Sequence, residues 1–442
     1  MRRFPGGIGV GTKRGFSAEA VGGWLAGRSA MAKCTEALAP QSSVRPESGR
    51  SAGSEMPRFA EFFAGIGLVR EAIEPLGWEC VFANDIAPAK AEMYRARFGS
   101  EHLHVGDIHE LVVSDIPHGI DLLTASFPCI DLSLAGNRNG LAGRHSGTIW
   151  PFLDLAGELC RRGDAPSALL LENVTGLLSS DAGRDLRAIC ERMGSLGYRI
   201  DILKLDAKWF APQSRPRLFV VALKSDLGDG TTLASSAVSA IRPRNVRQFE
   251  HANGDLPFID LRLPEPPRSS PLPLAAVLDE VPEEHDTWWP NERVHSLVQA
   301  MAPRHRERVE ALQTGERDGV TTMFRRVRAG RTVGEVRSDR LAGCLRTPYG
   351  GSSVQFLVDC RSGAARIRPL NGREYARLQG AGDFPITVSD RQAWLGFGDA
   401  VCVPAVRWLV RHAFGFFYSS ERPTADVQPR LCEKSGPYAA VA

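Results

Sequence analysis

The sequence predicts an α/β fold with a mixed, mostly parallel sheet and a smaller second domain. From Arg58 to about Lys224, short apolar runs alternate with segments of helical spacing, which is the pattern of successive βα units. From residue 225 to about 365 this alternation stops, and a Pro-rich stretch and an Arg-rich stretch take its place. Near Arg366 helical spacing returns, so we expect the chain to end by rejoining the first domain.

The composition is that of a globular chain large enough for two or three domains, with 442 residues, 43% of them hydrophobic and 24% charged. No uninterrupted apolar run is long enough to predict a membrane-spanning helix, so we expect no membrane partner. The nine cysteines form no C-x-x-C pair, and no histidines cluster at zinc-ligand spacing. This favours a reducing cytoplasm and no metal site. The net charge of +3 is too small to indicate a partner.

These patterns divide the chain into five segments. Residues 1–56 carry eight basic and four acidic residues without a helical or strand period, which is typical of a disordered extension. A simpler hypothesis is that translation starts at Met31 or Met56. The remaining segments are a main α/β domain (57–224), a second domain (225–365), a segment that returns to the main domain (366–416) and a loose tail (417–442).

The first βα unit suggests a nucleoside site. The apolar run Phe59–Phe63 predicts a strand, Ala64-Gly65-Ile66-Gly67 a tight turn and Leu68–Leu76 a helix. The next strand, Cys80–Ala83, leads to Asp85, and an acid about 20 residues beyond such glycines can accept hydrogen bonds from both ribose hydroxyls.

Glycines also mark ordinary turns, so this turn is weak evidence alone. The third glycine of a dinucleotide fingerprint is absent, and Arg70 occupies its neighbourhood. A nucleoside without a pyrophosphate, such as S-adenosylmethionine, therefore fits better than a dinucleotide.

A third strand, His102–Val105, ends in Gly106-Asp107-Ile108 and places another carboxylate at the same edge of the sheet. Two interpretations of Asp107 remain open. Its carboxylate can accept from an adenine amino group, or it can cap a helix over His109–Val113.

Two further strands bring a cysteine and a carboxylate to that edge. Ile120–Ala125 leads to Phe127-Pro128-Cys129, and Ala168–Leu171 leads to Glu172-Asn173-Val174. Parallel strands end at one edge of a sheet, so Cys129 and Glu172 are expected to lie near each other. Free cysteine is usually a small buried hydrophobe, but this position also suits a nucleophile.

Two more strands are predicted at Tyr198–Leu205 and Leu218–Leu223. Between them, Arg215 and Arg217 alternate and can project the same way from an extended segment. Helices are predicted at Asp181–Leu196, Glu292–Met301, Gly372–Gln379 and Val403–Phe414, the last opened by Gly396 to Val401.

The stretch from Phe324 to Arg346 holds seven arginines and two acids. It is either a solvated surface with turns or a nucleic-acid face, because arginine neutralises phosphates and bonds guanine bidentately. The candidate contacts are Arg325, Arg326, Arg328, Arg331 and Arg346.

Taken in order, these motifs resemble those of the cytosine-5 DNA methyltransferase family. The similarity covers most of residues 58–414 except the variable block, and eight motifs in the family's order are specific together. They are Phe63-Ala64-Gly65-Ile66-Gly67, Asn84-Asp85-Ile86, Gly106-Asp107-Ile108, Phe127-Pro128-Cys129 with Ser133, Glu172-Asn173-Val174, Gln213 to Arg217, Arg368 to Gln379, and Gly398-Asp399-Ala400-Val401.

The resemblance implies a Rossmann-like, S-adenosylmethionine-dependent methyltransferase fold with a target-recognition domain. Cys129 would attack carbon 6 of a flipped-out cytosine, with its thiolate favoured by Arg215 or Arg217, which would also hold the ring. Glu172 would donate a proton to nitrogen 3 if burial raises its pKa. The loop Ile130–Gly147 would close over the base, and Ser133 would contact a phosphate.

The resemblance also implies a cofactor site in which Phe63 and Ile86 stack on adenine. The full set of implied cofactor contacts is Phe63, Gly65, Ile66, Gly67, Asp85, Ile86, Asp107, Ile108, Pro128, Asp399 and Ala400. Its partner would be double-stranded DNA, and a bacterial restriction-modification type implies a cytoplasmic monomer with a cognate restriction endonuclease.

The chain departs from the family at several positions. Leu68 follows Gly67 where a second glycine is usual, Ile130-Asp131 follow the cysteine where glutamine is usual, and Asp399 replaces asparagine. Two alternatives stay open: a tRNA cytosine-5 methyltransferase and a catalytically silent DNA-binding relative. Amino-group DNA methyltransferases need a Pro-Pro motif ending in an aromatic residue, which is missing.

Overall fold

The computed structural model describes residues 56–128, 141, 146–225, 231–233, 235–315, 319–347 and 353–415. The predictions for the N-terminal extension, Cys129, Ser133, the closing loop and the tail fall wholly or largely outside the described residues. The fold is therefore built from residue 56 onward.

The main domain is organised by a seven-stranded sheet with the strand order β3-β2-β1-β4-β5-β7-β6. All neighbouring pairs are parallel except those of β7, which runs antiparallel to both β5 and β6. The predicted mixed, mostly parallel sheet is confirmed. Its strands are Arg58–Phe62 (β1), Glu79–Asp85 (β2), Leu103–Val105 (β3), Leu122–Ala125 (β4), Ala168–Val174 (β5), Tyr198–Asp206 (β6) and Pro216–Lys224 (β7).

Alternate residues of the central strands face opposite helical layers, as the period of a strand requires. On β5, Ala168 and Leu170 belong to one apolar cluster, whereas Leu169 and Leu171 belong to the other. Both faces are covered, which is why these strands read as continuous apolar runs.

The first cluster packs against helices α1, α2 and α8–α10, and the second against α3–α5. The predicted helix Asp181–Leu196 begins later, at Arg184, because Asp181 and Ala182 have positive φ. Helices α2, α3, α5, α7 and α9 were not predicted. The helices are Leu68–Ile73 (α1), Pro88–Phe98 (α2), Ile149–Arg161 (α3), Arg184–Ser195 (α4), Arg244–Ala252 (α5), Asn291–Gln299 (α6), Pro303–Gln313 (α7), Gly372–Leu378 (α8), Asp390–Asp399 (α9) and Val403–Ala413 (α10).

The segment that follows β7 first packs on the main sheet. It forms two short antiparallel strands, Thr231–Leu233 (β8) and Ile259–Leu261 (β9), and β9 and α5 pack on the main sheet's apolar clusters. Leu274, Val277 and Leu278 also belong to the first of these clusters. The polar sequence around these residues hid this packing. The range 225–365 for a second domain stays a prediction.

Within the predicted second domain, a four-stranded antiparallel sheet has the order β11-β10-β12-β13 and packs against α6 and α7. Its last strand, β13, pairs with β12, so this sheet extends to Pro369. The strands are Val320–Arg328 (β10), Arg331–Val336 (β11), Gln355–Asp359 (β12) and Arg366–Pro369 (β13).

The final helices return to the main sheet, as expected. Gly396 to Asp399 end α9 rather than open the next helix, because Ser389 caps α9 ten residues earlier. The span Asp390–Ala413 has the length and composition of a membrane-crossing helix, but it is broken around Val401 into α9 and α10. Val406, Leu409 and Val410 of α10 are buried in the core. We interpret the pair as core helices.

Candidate active site

The segment that leads to Cys129 is held on both sides by buried polar side chains. Asn173 Nδ2 donates to the carbonyl of Phe127 at 3.0 Å, and Ser146 Oγ donates to the carbonyl of Pro128 at 3.1 Å. Asn173 and Ser146 are both buried. Asn173 thus ties the end of β5 to the end of β4, so it orders the backbone beside the predicted nucleophile.

Glu172 lies at the same edge and is paired with one of the two predicted arginines. Arg217 Nε lies 3.0 Å from Glu172 Oε1, and the two side chains are only 16% and 11% exposed. The pairing follows from the register of β5 and β7, in which Glu172 opposes Phe219 and Val174 opposes Arg217. Residues so related are diagonal neighbours on one face.

Arg215 has a different environment from Arg217. It is 2% exposed, and its guanidinium donates to the carbonyls of Leu345 (2.7 Å), Gly398 (3.1 Å) and Ala400 (2.6 Å). Burial lowers the Arg215 pKa, and the charge of Arg217 adds to this effect. Arg215 therefore positions the end of α9 against the main domain, and its donors point into protein.

Two buried glutamines reinforce this junction and were not predicted. Gln213 Nε2 donates to the carbonyl of Leu378 at 2.8 Å, and Gln379 Nε2 donates to Phe397 O at 2.7 Å and Ala400 O at 3.1 Å. Both lie inside motifs that carry the family resemblance. The sequence signal that could have identified them is that each is an amide residue in a motif rich in arginine.

A second cysteine, which sequence reasoning missed, lies beside both arginines. Cys344 Sγ is 3.5 Å from Arg215 Nη1 and 3.8 Å from Arg217 Nη2. Burial by itself raises the pKa of this thiol, but the charges of Arg217, Arg215 and Arg346 outweigh it and lower the pKa to about 7. Only its placement in the fold reveals this environment.

The turn after β1 forms an open, glycine-lined cradle. Phe63, Gly65 and Gly67 all have positive φ, and the Gly67 N–H donates to the carbonyl of Ala64 at 2.8 Å. A Cβ added at Gly65 would meet nothing closer than Lys90 Cδ at 3.9 Å. Ile66 is fully buried, so its side chain lies in the core and only its backbone faces the turn.

The end of β2 presents both a carboxylate and an apolar side chain. Asp85 Oδ2 accepts from the Gly65 N–H at 2.7 Å and Oδ1 from the Ala87 N–H at 2.8 Å. Ile86 is 63% exposed, which is unusual for a large apolar side chain and suits stacking on a base.

The cap interpretation of Asp107 is confirmed, since its carboxylate accepts from the His109 N–H at 3.0 Å. The helix it begins is a single 3-10 turn, Ile108–Glu110, rather than the predicted His109–Val113. The Asp107 carboxylate also lies 2.7 Å from His109 Nδ1, and its side chain is 40% exposed. Ile108 is buried.

These residues fit a nucleoside cofactor without a pyrophosphate. The open glycine turn, the adjoining Asp85 carboxylate and the exposed Ile86 form one edge, and the carboxyl edge is where α/β folds bind ligands. Arg70 does not face this edge as a phosphate ligand would, because its Nη1 donates to Tyr94 OH at 3.0 Å and its Nε to Glu74 at 2.8 Å.

The Arg-rich stretch forms the hairpin β10–β11, whose turn contains Ala329 and Gly330 at positive φ. Arg328 and Arg331 are exposed near the turn, and so is Arg346 on the following segment. Arg325 stacks on Phe356 and Arg326 on Phe324, with 4.9 and 4.5 Å between guanidinium carbon and ring centroid. Glu335 pairs with Arg328, so part of the charge is neutralised within the hairpin.

One group of acids in the described part of the chain is close enough to share an ion: Asp201, Glu250 and Asp260. Arginines already occupy these carboxylates. Arg242 bonds Asp201, and Arg247 bonds both Glu250 and Asp260. Two guanidinium groups in contact with the acids would repel a cation, so we interpret the cluster as a buried ion-pair network.

Solved structures of methyltransferases share this fold. The Entamoeba histolytica methyltransferase EhMeth superposes with a TM-score of 0.55 at 13% identity, over 83% of this chain and all of that one. The S. pombe Dnmt2 methyltransferase gives a TM-score of 0.53 at 16% identity, over 83% of this chain and all of that one. These likenesses define the class of fold, which is a Rossmann-like α/β fold with a mixed, mostly parallel sheet.

The sequence comparisons identify the family within this class. The family described as C-5 cytosine-specific DNA methylase matches residues 57–414, so the chain belongs to that family and is a DNA cytosine-5 methyltransferase. Type II methyltransferase M.HpaII of Haemophilus parainfluenzae is 30% identical, over 84% of this chain and 93% of its own. Type II methyltransferase M.DsaV of Dactylococcopsis salina is 28% identical, over 83% of this chain and 88% of its own.

Proposed function

We propose that this enzyme methylates carbon 5 of a cytosine flipped out of a specific duplex DNA sequence, through a covalent adduct between Cys129 and carbon 6. S-adenosylmethionine would supply the methyl group as a sulfonium. The observation that carries the proposal is the Glu172–Arg217 pair, which lies at the edge where Asn173 binds the backbone leading to Cys129.

The proposed chemistry assigns one step to each group. The Cys129 thiolate adds to carbon 6, which breaks the aromaticity of the ring and makes carbon 5 nucleophilic. In its protonated form, Glu172 donates a proton to nitrogen 3 as charge develops there and takes it back after methyl transfer, while Arg217 holds the carboxyl through Oε1. After methyl transfer, a base removes the proton from carbon 5, and the electrons of that bond expel the thiolate from carbon 6.

Cofactor binding is assigned to the glycine turn and the end of β2. Asp85 would accept from the ribose hydroxyls, and Phe63 and Ile86 would contact adenine. The backbones of Gly65, Ile66 and Gly67 line the turn, and Pro128, Asp107, Ile108, Asp399 and Ala400 complete the proposed set. An exposed Ile86 and an open Gly65 support this assignment.

The DNA face would be the β10–β11 hairpin with Arg346. Arg325, Arg326, Arg328 and Arg331 are all on this hairpin. Ser133, which lies outside the described residues, is the remaining proposed DNA contact. The type II names of M.HpaII and M.DsaV support a restriction-modification role. We propose further that the enzyme acts as a cytoplasmic monomer beside a cognate restriction endonuclease.

The direct test is product analysis. Full-length enzyme is incubated with S-adenosylmethionine and either duplex DNA or tRNA, and the nucleosides are quantified by mass spectrometry. We expect 5-methyldeoxycytidine in duplex DNA, with bisulfite sequencing placing it in one short sequence. Methylated tRNA with unmodified DNA would favour the tRNA alternative, and no product in either would favour a silent relative.

A further inference from the structure

The backbone on either side of Cys344 is fixed by two buried glutamines. Gln355 Oε1 accepts from the Gly343 N–H at 3.2 Å, and Gln213 Oε1 accepts from the Leu345 N–H, also at 3.2 Å. Both glutamine side chains are fully buried. The Cys344 thiol therefore projects from a backbone that is anchored before and after it, as a residue that must orient another group requires.

The thiol contacts one end of the Arg217 guanidinium, and Glu172 contacts the other. Cys344 Sγ lies 3.9 Å from Arg217 Nη1 and 3.8 Å from Nη2. Arg217 Nε lies 3.0 Å from Glu172 Oε1. Because a guanidinium is planar and its donors are fixed relative to one another, a partner at the Nη atoms restricts the direction in which Nε donates. The three side chains thus form a connected series that ends at the proposed proton donor.

The charges in this series suit proton donation by Glu172. The donor must carry its proton beforehand, and a protonated carboxyl has no charge. The guanidinium groups of Arg217 and Arg215 stay positive, and Arg215 Nη1 also lies 3.5 Å from the Cys344 Sγ. A thiolate supplies a negative charge beside both, which offsets the cost of burying two cations together. A negative charge also favours the protonated form of a nearby carboxyl.

We propose that Cys344 is a positioning residue of the methyl-transfer reaction, whose thiolate holds the Arg217 guanidinium toward Glu172 and balances the arginine charges while Glu172 carries its proton. The inference rests on the proposed function, in which Glu172 is the proton donor. It adds a residue that lies outside that assignment and contacts neither the cytosine nor the cofactor.

Charged groups from several elements act on this thiol. Arg215, just before β7, and Arg217, within it, face the thiol from one side, and Arg346 faces it from its own segment. Glu172 of β5 and Asp399 of α9 act on Arg215 in turn. Burial raises the pKa of the thiol, but the three guanidinium groups outweigh burial and lower the pKa to about 7. The thiol is therefore neutral well below pH 7 and charged above it.

The test compares single-turnover methyl transfer at pH 5.5 and pH 8, with saturating S-adenosylmethionine and duplex DNA. We expect Cys344→Ser to lower the rate at pH 8 about tenfold, less than the loss of a general acid itself. At pH 5.5 its rate should nearly equal that of the parent, because the thiol of the parent is then uncharged. Cys344→Asp restores a negative charge and should recover most of the rate at pH 8.

Cys160→Ser is the matched control. Cys160 is also a partly buried thiol beside a cation, since Lys224 Nζ lies 3.4 Å from its Sγ, but Lys224 ends β7 at the opposite edge of the sheet. The control should keep the parent's rate at both pH values. The Kd of S-adenosylhomocysteine, measured by calorimetry, should be the same in all variants. Cys344→Ala replaces Cys344→Ser if the serine variant does not fold.

The outcomes separate this inference from the proposed function. A Cys344→Ser enzyme with the parent's rate at both pH values, or with the same fractional loss at both, would overturn the inference, because a purely structural role does not follow the charge of the thiol. A Cys344→Asp enzyme no faster than Cys344→Ser at pH 8 would overturn it as well. The proposed function stands in these cases. If the unmodified enzyme methylates no DNA, or if Glu172→Ala keeps the full rate, the proposed function fails and the inference fails with it.

Discussion

Arg217 Nε lies 3.0 Å from Glu172 Oε1, whereas Arg215, two residues earlier, directs its guanidinium to three backbone carbonyls. The same motif therefore supplies one arginine that pairs with the proposed proton donor and one that binds the backbone at the end of α9. Both reach Cys344 Sγ, so they do project from the same side of the extended segment.

Replacing these two arginines should separate catalysis from stability. We expect Arg217→Ala to lower the single-turnover rate of methyl transfer about 100-fold or more, because Glu172 loses the group that orients it. Arg215→Ala should instead lower the free energy of unfolding by about 3 kcal/mol or more, because buried carbonyls lose charged donors. Urea denaturation and single-turnover assays check both. A stable but inactive Arg215→Ala enzyme would contradict this division.

The thiol of Cys344 should titrate near neutral pH. Its pKa is lowered to about 7, so the thiolate fraction rises as pH increases through that value. In a Cys129→Ser background, the iodoacetamide rate at Cys344, followed by peptide mass spectrometry, should have its midpoint near pH 7. Adding Arg217→Ala should move the midpoint upward, because Arg217 is the strongest of the lowering charges. A midpoint that does not respond to Arg217 would refute this electrostatic account, and Cys344→Ser identifies the labelled peptide.

Glu61 should make the protein less stable as pH rises. It is buried in β1, and burial raises its pKa to about 8, although the Arg70 guanidinium opposes this. The folded state therefore binds the proton more tightly than the unfolded state, and stability decreases between the unfolded pKa near 4.5 and the folded value. Above pH 8, Glu61→Gln should be more stable than the parent by about 1 kcal/mol or more.

Urea midpoints at pH 5.5 and 8.5 test this prediction. The difference between the two midpoints should shrink in Glu61→Gln. The exposed Glu79, at the start of β2, offers a control, and Glu79→Gln should leave the difference unchanged. An unaltered pH dependence in Glu61→Gln would show that Glu61 is ionised in the folded protein.

The hairpin arginines should determine the salt dependence of DNA binding. Removing one arginine that binds a phosphate should reduce the slope of log K against log salt by about 1, so Arg331→Ala and Arg346→Ala should flatten it. Arg361→Ala serves as the matched control, because Arg361 follows β12 of the same sheet but its charge pairs with Asp359. Equal slopes in all three variants would remove the hairpin from the DNA face.

The sequence predicted the main sheet well because β-strands buried on both faces appear as apolar runs with polar residues at their ends. It placed Glu172, Asp85 and Asp107 at one edge for the same reason. It did not predict α2, α5 or α7, whose exposed faces are rich in charged residues. The sequence also could not predict contacts between residues that are distant along the chain, such as Cys344 with Arg217 and Lys90 with Asp399.

The central claim is that Cys129 forms a covalent bond to cytosine, and a mechanism-based trap tests it most directly. Duplex DNA with 5-fluorocytosine at the target position is incubated with enzyme and S-adenosylmethionine, because fluorine blocks the elimination that releases the thiolate. We expect a denaturant-resistant complex whose cross-linked peptide contains Cys129, and none with Cys129→Ser. An active enzyme that forms no such complex, or a cross-link at another cysteine, would contradict the mechanism.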